Sequence, residues 1–376
     1  MYSVNASKKT EKLKKAYVVG ADKKTEKLKK AYVVGADKKL VKLWSSATPQ
    51  FLITTSRSKV WLSEDLSNWE EVSAGSGNKG CKVAYGNGTY VILYDPHVSN
   101  YSTADLQVAT STDGKAWTLR TIGSVVTFAG SAQNIHFCNG QFIATYSNWN
   151  PRKYYVYTSK DGVTWTMVGG TTQDLPTTKN LNIVYGYYGG QLCYVTTTGS
   201  GLSYSTDLIN WTAVSSFSAN GHYITHFVTD RDGLIYVLTA EPGVGYINGS
   251  SYQHKNTSKY TIFSNAIFNE DTNKIYFVAG SQSNMSTNTL WLYSAPKYGV
   301  INEIGYLYAS RPLYTKTYAY GNGKHAIVTT FGSSTDKVKC HYSLDDGKTW
   351  TEVEIGTVGN TGIDYSNSGL VYAKGE

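Results

Sequence analysis

From about residue 50 onward, short apolar runs alternate with polar turns, and the runs come in pairs. Val83 to Leu93 sets the plan: two apolar stretches meet at Asn87-Gly88, a dipeptide whose residues both tolerate positive φ and so close a tight hairpin. Related hairpins run from Ile135 to Ile143, Ile183 to Tyr194, Val228 to Val237, Ala266 to Phe277, Tyr318 to Ile327 and Ile363 to Tyr372. Between them stands a second pattern, a serine, then an aspartate two residues on, then a tryptophan. It occurs at Ser63-Glu-Asp65 to Trp69, Ser111-Thr-Asp113 to Trp117, Ser159-Lys-Asp161 to Trp165, Ser205-Thr-Asp207 to Trp211 and Ser343-Leu-Asp345 to Trp350. The first tryptophan steps are 48, 48 and 46 residues, and the last, 139, is about three such steps.

A period in the forties means one small sheet reused around a ring or along a stack. Hairpin and aspartate turn together supply four strands per unit. Weakened turns at Tyr252 to Phe263 and Leu290 to Ile304 bring the units to seven. The pattern therefore predicts an all-β chain, a seven-bladed β-propeller of four-stranded antiparallel blades over residues 46–376. The strands from Phe51 to Val72 lack a preceding hairpin and the final hairpin lacks a following turn. The C-terminal strands are thus expected to complete the first blade.

Residues 1–45 follow a different rule. The fifteen residues Lys8 to Asp22 recur unchanged as Lys23 to Asp37, and partial copies flank them. Each unit joins Ala-Tyr-Val-Val, a Gly-Ala-Asp turn and a lysine-rich piece, which reads as strand, turn and strand beside a helical alternative through Leu13, Ala16 and Tyr17. So small an array needs copies of itself or a partner to bury a core, which points to a homo-oligomer.

Composition sharpens this division. The 376 residues carry a net charge of +8, but residues 1–50 hold 13 lysines against Glu11, Asp22, Glu26 and Asp37, leaving the remainder near neutrality. Attraction to phosphate therefore belongs to the leader, and nucleic acid is not an expected partner of the propeller. Cys81, Cys138, Cys193 and Cys340 are far apart in sequence and read as buried thiols. No histidine pair has metal spacing, and no metal or cofactor is expected. The first residues lack an apolar signal segment and no run is long enough to span a membrane, so the chain is expected to be made in a cytoplasm.

Five like aspartates spread around a ring cannot share one active site. Asp65, Asp113, Asp161, Asp207 and Asp345 therefore read as turn-holding carboxylates, with Trp69, Trp117, Trp165, Trp211 and Trp350 covering the hairpins. No catalytic residue is assigned. Scattered acids, Asp95, Asp105, Asp174, Glu241 and Glu303, are the candidates for any hydrolytic role. Ligand contacts are expected on the alternate connections: Trp149, Arg152 and Tyr154 first, then Tyr101, His97, Glu241 and Tyr246, where aromatic rings stand beside polar groups.

The aspartate turns resemble the Asp-box (BNR) repeats of sialidase-like propellers, and Ser343 to Trp350 matches that pattern outright. The other four are one residue shorter. In that family the boxes lie on outer turns away from the substrate face, and sialidases add a Phe/Tyr-Arg-Ile-Pro motif and three clamping arginines. This chain lacks the motif and has five arginines: Arg57, Arg120, Arg152, Arg231 and Arg311. The Ser-x-Asp-Leu-x-Asn-Trp variant is also similar to turns of five-bladed glycoside hydrolases. The leader resembles lysine/tyrosine arrays at the ends of minor structural and tail proteins of bacteriophages. Together the resemblances imply a non-enzymatic virion protein, held to other virion subunits through residues 1–45, whose propeller binds a host-surface glycan or protein. A propeller glycoside hydrolase and a purely architectural decoration protein are the alternatives.

Overall fold

The computed structural model describes residues 17–19, 25–27, 30–34, 40–45, 50–54, 59–75, 79–95, 102–127, 131–149, 152–170, 182–197, 201–214, 224–239, 243–256, 261–262, 266–280, 287–298, 301–313, 317–330, 337–357 and 369–373. The chain divides into two compact units, 1–48 with 375–376, and 49–374.

The larger unit is a seven-bladed β-propeller, each blade an antiparallel meander. Blade 1 comprises Gln50–Thr54, Lys59–Ser63 and Glu70–Ser73, with Gly369–Ala373 as its innermost strand. Blade 2 follows as Lys79–Gly86, Thr89–Asp95, Ser102–Ser111 and Thr118–Thr127, and blade 3 as Ser131–Cys138, Gln141–Trp149, Arg152–Ser159 and Thr166–Met167. Blade 4 holds Ile183–Tyr188, Gln191–Thr197, Leu202–Ser205 and Thr212–Val214; blade 5 holds Ile224–Thr229, Ile235–Thr239, Gly243–Asn248 and Ser251–Asn256. In blade 6 the innermost position is split between Thr261–Ile262 and Ile267–Asn269, both paired to Lys274–Gly280, before Thr287–Pro296 and Asn302–Leu313. Blade 7 is Thr317–Gly321, Lys324–Thr330, Lys337–Ser343 and Thr351–Thr357. Gly369–Ala373 pairs antiparallel with Gln50–Thr54, so the last strand closes the first blade as expected.

Blades pack face to face, which explains the continuous apolar runs. A second strand sits between two neighbours, and Thr89–Asp95 is buried at every position, as is Ile235–Thr239. The outer strand Glu70–Ser73 is largely exposed. Seven hydrophobic clusters mark the seven blade junctions, from Leu52, Leu62, Tyr90 and Ile92 between blades 1 and 2 round to Phe51, Ile53, Ala326 and Cys340 between blades 7 and 1.

Hairpin turns hold positive φ where the sequence called for it: Asn87 and Gly88 at 47° and 73°, Asn139 and Gly140 at 51° and 68°, Asn322 and Gly323 at 51° and 73°. Of the two weakened turns, one lies elsewhere than expected. In blade 5 the turn between the third and outer strands is Gly249-Ser250, so Tyr252 onward is already outer strand. In blade 6 Leu290 to Pro296 is third strand and the chain reverses at Lys297-Tyr298, inside the expected span of Leu290 to Ile304. Without serine, aspartate and tryptophan, apolar content alone did not locate the blade 5 bend.

In the smaller unit, Tyr17–Val19 pairs with Thr25–Lys27, and Lys30–Val34 with Leu40–Ser45. The partners Tyr17/Lys27, Val18/Glu26 and Val19/Thr25 recur, displaced by one repeat, as Tyr32/Lys42, Val33/Val41 and Val34/Leu40. In each described hairpin the Tyr-Val-Val of one fifteen-residue copy thus pairs with residues of the next copy, in the same register.

Candidate functional site

The five aspartate turns share one geometry. In blade 3, Asp161 Oδ1 accepts from the backbone N–H groups of Val163 and Thr164, both at 2.8 Å, and from Ser159 Oγ. Ser159 Oγ in turn accepts from Gly162 N at 2.9 Å, and Trp165 Nε1 donates to Gly162 O at 2.8 Å. Asp65, Asp113 and Asp207 likewise each accept from two backbone N–H groups, Asp345 accepts from the Thr349 N–H and hydroxyl, and in each turn the indole N–H donates back to a turn carbonyl. N–H groups of Thr164 and Val163 hold the Asp161 carboxyl down at about 2, and the Thr349 hydroxyl and N–H hold Asp345 likewise at about 2. Asp65 is pulled below the usual range by the Asn68 amide and N–H, and Asp207 by the N–H groups of Asn210 and Ile209. For Asp113 burial works the other way, but the N–H groups of Ala116 and Lys115 prevail and its carboxyl is lowered too.

Each turn also reaches its neighbour. Trp69 packs into the cluster between blades 7 and 1, Trp117 between 1 and 2, Trp165 between 2 and 3, Trp211 between 3 and 4, and Trp350 between 6 and 7. The fourth residue of each short turn is left-handed, with φ of 72° at Leu66, 75° at Gly114 and Gly162, and 64° at Leu208. A side chain at Gly162 would meet Val91 of blade 2 at 2.8 Å, whereas Leu66 and Leu208 are themselves buried in the junction. A leucine is held in this backbone conformation because its side chain fills the interface.

The candidate ligand residues fall in different places. Trp149 and Arg152 face each other in register at the end of the blade 3 hairpin, though their side chains lie outside the described residues, as do His97, Tyr101 and Glu241. Tyr154 is 2% exposed and packs between blades 3 and 4 with Ile143, Val156 and Tyr194, so it faces the blade interior. Tyr246 sits in the third strand of blade 5, its ring edge-on to Tyr298 at 5.0 Å. Asp95 is buried in a second strand, Asp105 is exposed in a third, and Glu303 is exposed on an outer strand, so these acids do not converge. Asp174 lies outside the described residues. Cys138, Cys193 and Cys340 are free thiols, and burial pushes Cys138 up to about 12.

The innermost strands surround a central channel of about 960 Å³. A collar of rings lines it: Tyr85, Phe137, Phe268, Tyr320 and Tyr372 come from five blades. Three of these pack against a ring on the next strand, Tyr85 tilted on Tyr90 at 4.6 Å, Phe137 edge-on to Phe142 at 4.9 Å and Tyr372 tilted on Phe51 at 4.8 Å. In blade 5 the lining runs from Phe227 through Thr229 to Asp230 and Arg231 on its turn. Among the described residues the channel's carboxylates are Asp230, Glu270 and Asp271, and no cluster of three histidine, cysteine or acidic groups has metal geometry. No helix of the described residues is long and apolar enough to cross a membrane.

Polar contacts join blade 5 to both neighbours, and its junction with blade 4, unlike that with blade 6 where Trp291 packs, has no tryptophan among the described residues. The first hairpin of blade 4 carries two more residue pairs beyond its stacked Tyr185/Tyr194 than its counterparts, Tyr187/Leu192 and Tyr188/Gln191. This extension leans on blade 5, with Tyr187 N donating to Gly233 O at 2.8 Å and Gly189 N to Gly249 O at 3.0 Å. Gly186 permits the approach, since a Cβ there would stand 2.6 Å from Gly233 O. On the other side, Lys297 Nζ lies 2.6 Å from Asp232 Oδ2 and 3.5 Å from Asp230 Oδ2. Asp230 Oδ1 accepts from the N–H groups of Asp232 and Leu234. Sequence reasoning missed this rim, although the Tyr187-Tyr188-Gly189-Gly190 insertion and the absence of an aspartate turn were visible in it.

The sequence matches no protein-family model and no curated protein. Its fold is similar to that of the periplasmic gluconolactonase PpgL of Pseudomonas aeruginosa, at 11% identity and a TM-score of 0.59 over 87% of this chain and 99% of that one. A protein from Lactobacillus plantarum aligns with a TM-score of 0.55 at 8% identity over 87% of this chain and all of that one. A functionally unknown protein from Desulfotomaculum acetoxidans gives 0.54 at 12% identity over 88% of this chain and 100% of that one. At these identities the likeness is one of fold.

Proposed function

We propose that the protein is a non-enzymatic bacteriophage or prophage virion component. Residues 1–45 join it to other virion subunits and to copies of itself, and the propeller recognises a host-surface glycan or protein. The observation that carries this reading is the leader: a lysine-rich unit repeated residue for residue, with strands of successive copies paired in the same register in both described hairpins. A lone two-stranded hairpin is marginal in water, so a tandem array of them favours further pairing, as an anchoring segment requires. Display in many copies would let shallow propeller sites act together.

Recognition is preferred to glycoside or lactone hydrolysis because of how the acids are used. The five turn aspartates are engaged by backbone, Asp230 is engaged by Leu234, Asp232 and Lys297, and the channel's other described acids, Glu270 and Asp271, are adjacent on one exposed turn, an arrangement unlike two carboxylates on opposite sides of a bond. The test is immunogold labelling of particles released by the bacterium that carries or hosts the gene. Label on particles, with antibody blocking adsorption to cells, supports the reading. Protein found in the cell lysate with none on particles overturns it.

A further inference from the structure

The rim over blades 4, 5 and 6 carries three features. Tyr187 is 46% exposed on the extended blade 4 hairpin, and Tyr298 is 49% exposed on the blade 6 turn. Between them, on the blade 5 turn, stands the exposed Arg231, for which no hydrogen bond or ion pair occurs among the described residues. Its neighbour Asp232 is committed to Lys297, so the local acid does not neutralise the guanidinium by contact.

Geometry ties these groups into one surface. The Tyr187 ring lies against Gly233, where an added Cβ would sit 3.1 Å from Tyr187 Cδ2, and Gly233 is two residues from Arg231. Lys297 links the same turn to blade 6, its ammonium 5.7 Å from the Tyr298 ring centroid. Tyr298 holds a left-handed φ of 57°, a conformation costly for a large side chain, and its ring is propped edge-on by Tyr246. Two supported, outward-facing rings offer flat faces for the C–H side of a sugar. An uncommitted guanidinium offers paired donors in the plane that a carboxylate or phosphate oxygen pair requires. Arg231 also lines the adjoining channel mouth with Thr229.

We infer that this rim is a binding site for an anionic glycan: sugar rings stack on Tyr187 and Tyr298 while a carboxylate or phosphodiester attached to the chain pairs with Arg231. This deepens the recognition reading above and rests on it, by giving it a location and a ligand class. The site lies on the hairpin-turn rim, opposite to the connections that carry Trp149 and Arg152.

The test uses the full-length protein in calorimetric titrations against three probes: an oligogalacturonate, a phosphodiester-linked sugar polymer and an uncharged cello-oligosaccharide. The expected result is binding of one anionic probe, which also tells carboxylate from phosphate, with the neutral probe at least tenfold weaker. R231A should lower affinity at least tenfold, R231K less, and Y187A or Y298A severalfold, each with a melting temperature within a few degrees of the parent. Equal binding of the neutral probe, binding unchanged in R231A and Y298A, or retention of none of the three would overturn the site. Adsorption of the same variants to host cells is measured in parallel. Undiminished adsorption by R231A removes this site and leaves the recognition reading standing, whereas loss of adsorption by the parent protein itself would remove both.

Discussion

One carboxylate oxygen does most of the bonding in each aspartate turn, and one indole does most of the covering. Asp161→Ala strands two backbone N–H groups at an exposed bend, so a cost near 1 kcal/mol is expected, comparable to the loss of a helix cap. Trp165→Ala also empties part of the junction between blades 2 and 3 and should cost about 3 kcal/mol. Thermal unfolding of the pair checks the ranking, and a larger loss for Asp161→Ala would show that the ring contributes little. Histidine sets a second residue-scale prediction. Burial lowers the pKa of His341 to about 4, and its Nε2 lies 2.9 Å from Thr329 Oγ1. The unfolded chain binds this proton near its ordinary value of 6.5 and the folded chain does not, so stability is full above that value and falls as pH drops toward 4. The loss is on the order of 3 kcal/mol, and His341→Gln should flatten the dependence of melting temperature on pH across that window.

Among the elements, hairpins were the most legible part of the sequence. Asn-Gly between apolar runs fixed their bends, and the serine, aspartate and tryptophan spacing fixed the outer turns, because both devices act through a few residues close together. The turn of blade 5 was misplaced because its reversal uses Gly249-Ser250, which carries no such spacing, while that of blade 6 at Lys297-Tyr298 falls within the expected Leu290 to Ile304. The proposed ligand rim was not legible either. Arg231 gains meaning only when the extended blade 4 hairpin is brought beside it, a contact between residues some forty positions apart. Gly186 is the hinge of that contact. Gly186→Ala would place a methyl group 2.6 Å from Gly233 O, a backbone atom that cannot turn aside, so the hairpin must lift. Faster amide exchange at Tyr187 and Gly189 is the expected sign, with a destabilisation of about 1–3 kcal/mol. Protection equal to the parent's at both amides would refute the assignment.

At the scale of the molecule, charge and closure divide the labour. Lysine density belongs to the leader, and the ring is nearly neutral, so salt should weaken any interaction made by residues 1–45 far more than one made by the apolar faces of the blades. Closure rests on five residues. Removing 369–373 would strip Gln50–Thr54 of its inner partner, uncover an apolar strand edge and make the opened ring associate further than the parent, detectable by light scattering. Moving the same five residues to precede Gln50 through a short connection keeps every pairing and should preserve the melting temperature within a few degrees. Failure of that permuted chain to fold would mean that the junction depends on more than the strand itself.

The same closure imposes a schedule during translation. Gly369 meets Thr54, about 315 positions earlier, so at cellular elongation rates the ribosome works for roughly 15 to 60 s before blade 1 can receive its inner strand. Throughout that interval Phe51, Leu52 and Ile53 wait with one side of their backbone open while six later blades emerge and stack. Nascent chains crowded on one messenger could then exchange that strand with a neighbour, and chaperone occupancy over the first blade would be the natural safeguard.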